Sequence, residues 1–126
     1  MSFNKTSMNH NELGVYGEKL AQEYLLKKGY QHLHYNYRFG RNEIDIVSLF
    51  RNKIVVTEVK TKSSYEIVEP WKSVTRQKQK QIVKVADAYI QTLNMEYDVQ
   101  FDIVSIIVYN DLTSAIEHFE DAFSAM

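Results

Sequence analysis

The chain has 126 residues, 44% of them hydrophobic and 25% charged, which fits one globular domain with a core of its own. It lacks cysteine, which excludes disulfides and thiolate zinc sites, and it has no apolar run long enough to span a membrane. The net charge is −1, so bulk charge makes no case for a polyanionic partner.

The charge is unevenly spread. Every Lys and Arg lies at or before Lys84, and residues 85–126 carry acids alone. Such asymmetry marks either a basic face for a polyanion or an acidic tail over an opposite surface, and charge by itself does not choose. The N-terminal stretch "MSFNKTSMNHNELG" is polar and has no signal-peptide apolar core. Residues 1–12 are therefore expected to be a flexible N-terminus, residues 13–126 a single domain, and the protein cytoplasmic.

Residues 14–28, "GVYGEKLAQEYLLKK", set Tyr16, Leu20, Ala21, Tyr24 and Leu25 on one helical face, with Gly29 as the stop. Glu18 borders that stripe and can face a neighbouring sheet. Residues 30–38 alternate and are rich in aromatics, which predicts a strand before the turn "RFGRN". Residues 43–49 and 53–60 read as a hairpin closed by "FRN". A loop over 63–73 holds the only proline, Pro70. The spacing predicts a second helix over 75–93, with a stripe of Ile82, Ala86, Tyr89, Ile90 and Leu93. Toward its N-terminus that stripe runs into polar Gln79, Lys78 and Thr75. Residues 101–109 form a mostly buried strand, and residues 115–119 a short last strand before a helical turn. The order α-β-β-β-α-β-β is an α/β arrangement.

One stretch, "NEIDIVSLFRNKIVVTEVK", puts charge inside what reads as buried strand. Buried charges are normally paired or bound to metal. Side chains alternate along a strand, so Glu43 and Asp45 are expected on one face of the second strand, and Glu58 and Lys60 on one face of the third. A hairpin would bring Asp45 beside Glu58 and Lys60. Two carboxylates that close repel, and a divalent metal removes the conflict. Oxygen ligands and water suit magnesium or manganese, and a water kept by the metal could serve as nucleophile beside a lysine. From the spacing alone an ordinary salt-bridged edge is the favoured reading over a site.

The run "GEKLAQEYLLKKGY", "NEIDIV", "TEVKTKSS", "VTRQKQKQIVKVADAYI" and "QFDIVSI", in this order, resembles the YraN-like family of small bacterial proteins over nearly the whole chain. That family is similar to archaeal Holliday-junction resolvases and to the PD-(D/E)xK nuclease superfamily. The resemblance implies an endonuclease-like domain: a restriction-endonuclease-like core, a mixed β-sheet flanked by helices. It implies Asp45 and Glu58 as acids holding Mg2+ or Mn2+, Lys60 as the catalytic lysine, and Glu18 as the first-helix acid beside the metal. Glu43 belongs to the motif without an assigned role, and Lys78 and Gln79 fall on the family's Lys-Gln. Similarity to resolvases also implies a homodimer, although catalytic domains of this size occur as monomers.

The chain departs from the family pattern in places. Asn42 replaces the usual Gly, Ile67 and Val68 stand where Phe-Gly is common, Lys62 stands where Arg is frequent, and Gln100 replaces the Arg before Phe101. The last change leaves Asp102 without its expected ion-pair partner, or with another. Lys62, Lys72, Arg76, Lys78, Gln79 and Lys80 are candidates for phosphate contacts, against the plainer reading of a solvated helix face. Trp71 either stacks on a base or packs its loop. His32 and His34 are expected on one strand face, more as surface or packing groups than as ligands. The leading expectation is a metal-dependent nuclease acting on DNA, branched or otherwise structured. The alternatives are a nucleic-acid-binding or assembly module with the same fold and little activity, and an interaction protein whose charges pair at the surface.

Overall fold

The computed structural model describes residues 8–64 and 74–125. Helix α1 (His10–Lys27) leads into β1 (Gln31–Phe39), β2 (Asn42–Phe50) and β3 (Lys53–Ser63). Helix α2 (Arg76–Gln91) then crosses to β4 (Asp98–Val108), which turns back into β5 (Ser114–Phe123). The five strands form one sheet in the order β1-β2-β3-β4-β5. All neighbours are antiparallel except β3 and β4, whose parallel pairing requires the α2 crossover. This mixed α/β sheet is consistent with a restriction-endonuclease-like core.

Both ends of α1 are fixed by local chemistry. The helix starts earlier than the apolar stripe suggests, so residues 10–12, expected in a flexible tail, form its first turn. Asn9 is the reason. Its side chain accepts from Glu12 N–H at 2.8 Å while Glu12 Oε1 accepts from Asn9 N–H at 3.3 Å, a reciprocal cap. At the other end Gly29 takes φ +98°. Its N–H and that of Tyr30 close on Leu26 and Leu25 carbonyls, each at 3.0 Å, dropping Tyr30 straight into the core. In the β2–β3 hairpin Arg51 and Asn52 both have positive φ, 50° and 62°, the twist-compatible two-residue turn.

The sheet is covered on both faces. Ile54 and Val56 of β3 join Ile82, Val85, Ala86 and Tyr89 of α2, whereas Val55 joins Leu13, Ala21 and Leu25 of α1. Successive β3 residues thus feed opposite cores. Strand β5 is longer than expected, and the anticipated helical turn after residue 119 is strand instead. Asp102 explains this. The β4–β5 register slips between Phe101 and Ile103, and Asp121 turns through φ +52° at the slip. Its N–H donates to Asp102 Oδ1 at 3.0 Å, so a side chain replaces the missing ladder partner. His32 and His34 do not share a face, because β1 also slips between them. His32 donates from Nε2 to Gln22 O at 2.9 Å and bonds Ser48 Oγ through Nδ1 at 2.8 Å. His34 packs edge-on to Tyr89 of α2.

Candidate active site

The site lies where β2 parts from β3. Their ladder runs from Phe50↔Lys53 to Ile46↔Thr57 and stops, while β2 goes on pairing with β1 through Tyr37↔Ile44 and Phe39↔Asn42. Asp45 is the first residue past the split. Ile44 belongs to the core under α2 and Ile46 to the core under α1, so alternation breaks at Asp45. Glu43 and Asp45 therefore do not share a face in the regular way expected. Opposite the break, Asn36 sits at φ +51°, a conformation that Asn tolerates better than most residues. Beyond the ladder, Val59 N–H donates to Asp45 Oδ2 at 2.8 Å, which fixes the carboxylate over β3.

Alternation in β3 is regular, and Glu58 and Lys60 do share a face. Glu58 is only 5% exposed. Its Oε1 lies 4.0 Å from Lys60 Nζ and 4.0 Å from Lys78 Nζ of α2. Its Oε2 is buried with no hydrogen-bond partner. Glu18 arrives from the α1 face. It is brought close because α1 presents Gly17 to β3, where any Cβ would overlap the Thr61 side chain. Glu18 lies close enough to Asp45 that its charge and a side-chain hydrogen bond both push the Asp45 carboxyl upward. Asn36 Nδ2 donates to both Glu18 Oε1 and Glu43 Oε1, each at 3.2 Å, and Glu43 also pairs with Arg38 at 3.0 Å. The structure thus brings Glu18, Glu43, Asp45, Glu58, Lys60 and Lys78 together. Sequence reasoning missed Asn36, for which a lone polar residue between Tyr35 and Tyr37 was the only signal.

Crowding sets the electrostatics. Burial, then the Glu58 charge, pushes Asp45 up to about 8, against the lowering effect of the Val59 N–H. Burial likewise raises Glu58, opposed first by Lys78 and then by Lys60. Near neutral pH the pair therefore retains a proton that a divalent cation would displace. Oxygen-only donors with one bare buried oxygen fit Mg2+ or Mn2+.

A different carboxylate centre lies on β4 and β5. Among the described residues, Asp102, His118 and Glu120 form the one cluster of three ligand-type groups with donor atoms within 4.8 Å of one another. Asp102 is already satisfied. Its Oδ2 accepts from Tyr30 Oη at 2.8 Å and His118 Nε2 at 2.7 Å, and its Oδ1 from Gln100 Nε2 at 2.9 Å and Asp121 N–H at 3.0 Å. Burial raises its pKa, but these bonds outweigh burial and hold it below the usual carboxylate range. Asp102 has thus found other partners, and Gln100, standing where Arg is usual, is one of them.

The phosphate-contact candidates separate. Gln79 Nε2 donates to Val74 O at 3.1 Å, and Thr75 caps α2 by accepting from Lys78 N–H at 3.2 Å. Arg76, Gln79 and Lys80 line a cleft of about 170 Å³ with Val83, Ser124 and Ala125. Lys62 is half-buried two residues beyond Lys60 on β3. Ile67, Val68, Pro70, Trp71 and Lys72 lie outside the described residues.

Residues 17–106, which carry every site residue from Glu18 to Lys78, match the model of the uncharacterised protein family UPF0102. The chain belongs to that family. It is the YraN family that the motif run resembles. A UPF0102 protein of Chlorobium limicola is 47% identical over 124 residues, 92% of this chain and 96% of that protein. One from Phocaeicola vulgatus is 40% identical over 114 residues, 90% and 93% of the two chains. One from Natranaerobius thermophilus is 39% identical over 119 residues, 92% and 100% of the two. These UPF0102 relatives carry no activity in their names, so the chemistry must be argued from the site. No helix among the described residues is long and apolar enough to cross a membrane.

Proposed function

We propose that this UPF0102 protein is a metal-dependent nuclease that hydrolyses phosphodiester bonds in DNA, with branched or otherwise structured DNA as the substrate class. The observation carrying this reading is the buried, partnerless Glu58 Oε2 beside Asp45, with Lys60 alongside. Natural proteins do not retain a bare carboxylate oxygen next to a second carboxylate for stability. Asp45 and Glu58 would hold Mg2+ or Mn2+, with Glu18 completing the set. When bound, the ion supplies positive charge to the scissile phosphate and acidifies water. Lys60 Nζ orients the attacking water and donates to charge developing on the phosphate. Val59 N–H holds Asp45 in place, and Asn36 restrains Glu18. Arg76, Lys80, Lys62 and Lys72 contribute backbone contacts that grip without reading sequence. A homodimer would offer two such sites to a two-fold junction.

A second reading, a nucleic-acid-binding or assembly module with little activity, draws on the hydrogen bonds already engaging Glu18 and Asp45. A cleavage panel of single-stranded, duplex, flap and four-way-junction DNA with Mg2+ or Mn2+ separates the two. The nuclease reading expects metal-dependent cutting that falls by about 10²-fold or more in Asp45→Ala and Lys60→Ala. No cutting, with junction binding kept by both variants, would establish the binding module.

A further inference from the structure

We infer that Lys78 works at the carboxylate centre, as a second lysine that holds Glu58 with its Oε1 toward α2 and its Oε2 free for the metal. The inference rests on the nuclease reading and gives Lys78 a role distinct from the basic groups that follow it on α2.

Three observations carry it. Lys78 and Lys60 reach the same oxygen, Oε1, each at 4.0 Å, and leave Oε2 bare. They come from different elements, the strand and the helix across its face, so two cations draw one carboxylate oxygen to their side and leave the other facing away from them. The neighbours of Lys78 are turned elsewhere. Gln79 bonds Val74 O, and Arg76 and Lys80 line the cleft against Ser124 and Ala125. The backbone of Lys78 is anchored in the first turn of α2, where Thr75 Oγ1 accepts its N–H at 3.2 Å. Four carboxylates, Glu18, Glu43, Asp45 and Glu58, crowd this centre against Arg38, Lys60 and Lys78. A cation that balances this charge opposes metal entry, yet keeps the ligand aimed. Lys78 is therefore a positioning residue acting through Glu58.

The two roles open to Lys78 move different quantities. A lysine at the carboxylate centre, when replaced in Lys78→Gln, removes a competing charge, so Mn2+ binds about fivefold tighter in solution without DNA. Glu58 is then poorly aimed, so kcat at saturating DNA falls about tenfold. DNA affinity measured in Ca2+ stays within about twofold, with Lys78→Arg recovering part of kcat. A mere phosphate clamp would leave Mn2+ affinity and kcat alone, and would weaken DNA binding and reduce its salt dependence in step with Lys80→Gln. Mn2+ binding followed by the free-ion electron paramagnetic resonance signal, single-turnover cleavage and mobility shifts read these quantities separately. The clamp pattern, or a Lys78→Gln protein indistinguishable from wild type, overturns the inference and leaves the nuclease reading standing. Wild-type protein that neither binds Mn2+ nor cuts DNA overturns both.

Discussion

Asp102 and the Asp45–Glu58 pair sit on one sheet. Asp102 pairs in register with Thr57, the residue before Glu58. Asp102 is surrounded by donors from Tyr30, Gln100, His118 and the Asp121 backbone. Lys28 Nζ, which can only donate, faces His118 Nδ1 at 3.3 Å, so the imidazole presents its N–H to Asp102 from Nε2. Asp45 has one strong backbone bond and a repelling neighbour, and Glu58 has an oxygen with no partner. One carboxylate is lowered and the other two are raised. The difference teaches that burial alone does not decide the state of an acid here; the supply of donors does. The saturated centre suits holding strands together, and the unsaturated one suits taking a cation.

The largest effect should come from breaking the saturated centre. Asp102→Ala strands His118, Tyr30, Gln100 and the Asp121 N–H, and removes the pin at the β5 slip. A loss of about 3–5 kcal/mol in urea denaturation is expected. The acid limb has a definite sign. The folded pKa of Asp102 lies below its unfolded value, so its contribution is complete above the ordinary carboxylate range, about 3.9. That contribution is lost as pH falls through the folded value. A loss below about 1 kcal/mol would mean that the network is decorative, and the comparison would collapse.

How far the sequence reveals each centre follows from what its residues depend on. Asp45, Glu58 and Lys60 are legible because charges interrupt apolar strands within one hairpin, where local alternation and a short turn settle their meeting. The exact facing of Glu43 and Asp45 is not, because the alternation breaks at Asp45 and only the neighbouring strand, through Asn36, reveals it. The Asp102 network is illegible for a related reason. Apart from Gln100 on its own strand, its partners come from Tyr30, between α1 and β1, and from β5, and its bulge depends on a slip that no local pattern encodes. The cap on α1 is legible, since Asn9 and Glu12 have capping-box spacing, although the apolar stripe by itself places the start later. The Lys78 contact with Glu58 lies between. The apolar stripe of α2 places polar Lys78 on a core-facing side, and only the crossover geometry shows which acid it meets.

Asp45→Asn tests the unsaturated centre in the opposite direction. The amide keeps an acceptor for Val59 N–H and removes the repulsion from Glu58. Here the folded pKa is raised, so between about 4 and 8 the folded chain holds a proton that the unfolded chain has released. Wild-type stability from this group therefore falls as pH rises through that window and levels off above it. The variant should gain about 1–3 kcal/mol near pH 8 and little near pH 4, while losing Mn2+ binding. Urea midpoints at the two pH values give the answer. A variant less stable at pH 8 would show that Asp45 is held as firmly as Asp102, and the contrast between the centres would be lost.

The smallest effect belongs to the rim. The Arg38–Glu43 pair is short, 3.0 Å, but its side chains are 70% and 33% exposed. Solvent screens such a pair, and Glu43 keeps its bond to Asn36 when Arg38 is removed. Arg38→Ala should cost about 0.5 kcal/mol or less in low salt, and nothing measurable at about 0.5 M salt, where the Debye length shrinks to a few ångströms. Mn2+ affinity is the sharper reading. If Glu43 only closes the rim, the variant binds Mn2+ as wild type does. If affinity rises as far as in Lys78→Gln, the charge of Arg38 is felt at Glu58 as strongly as that of a lysine at 4.0 Å, and Glu43 counts among the acids facing the ion rather than at the edge.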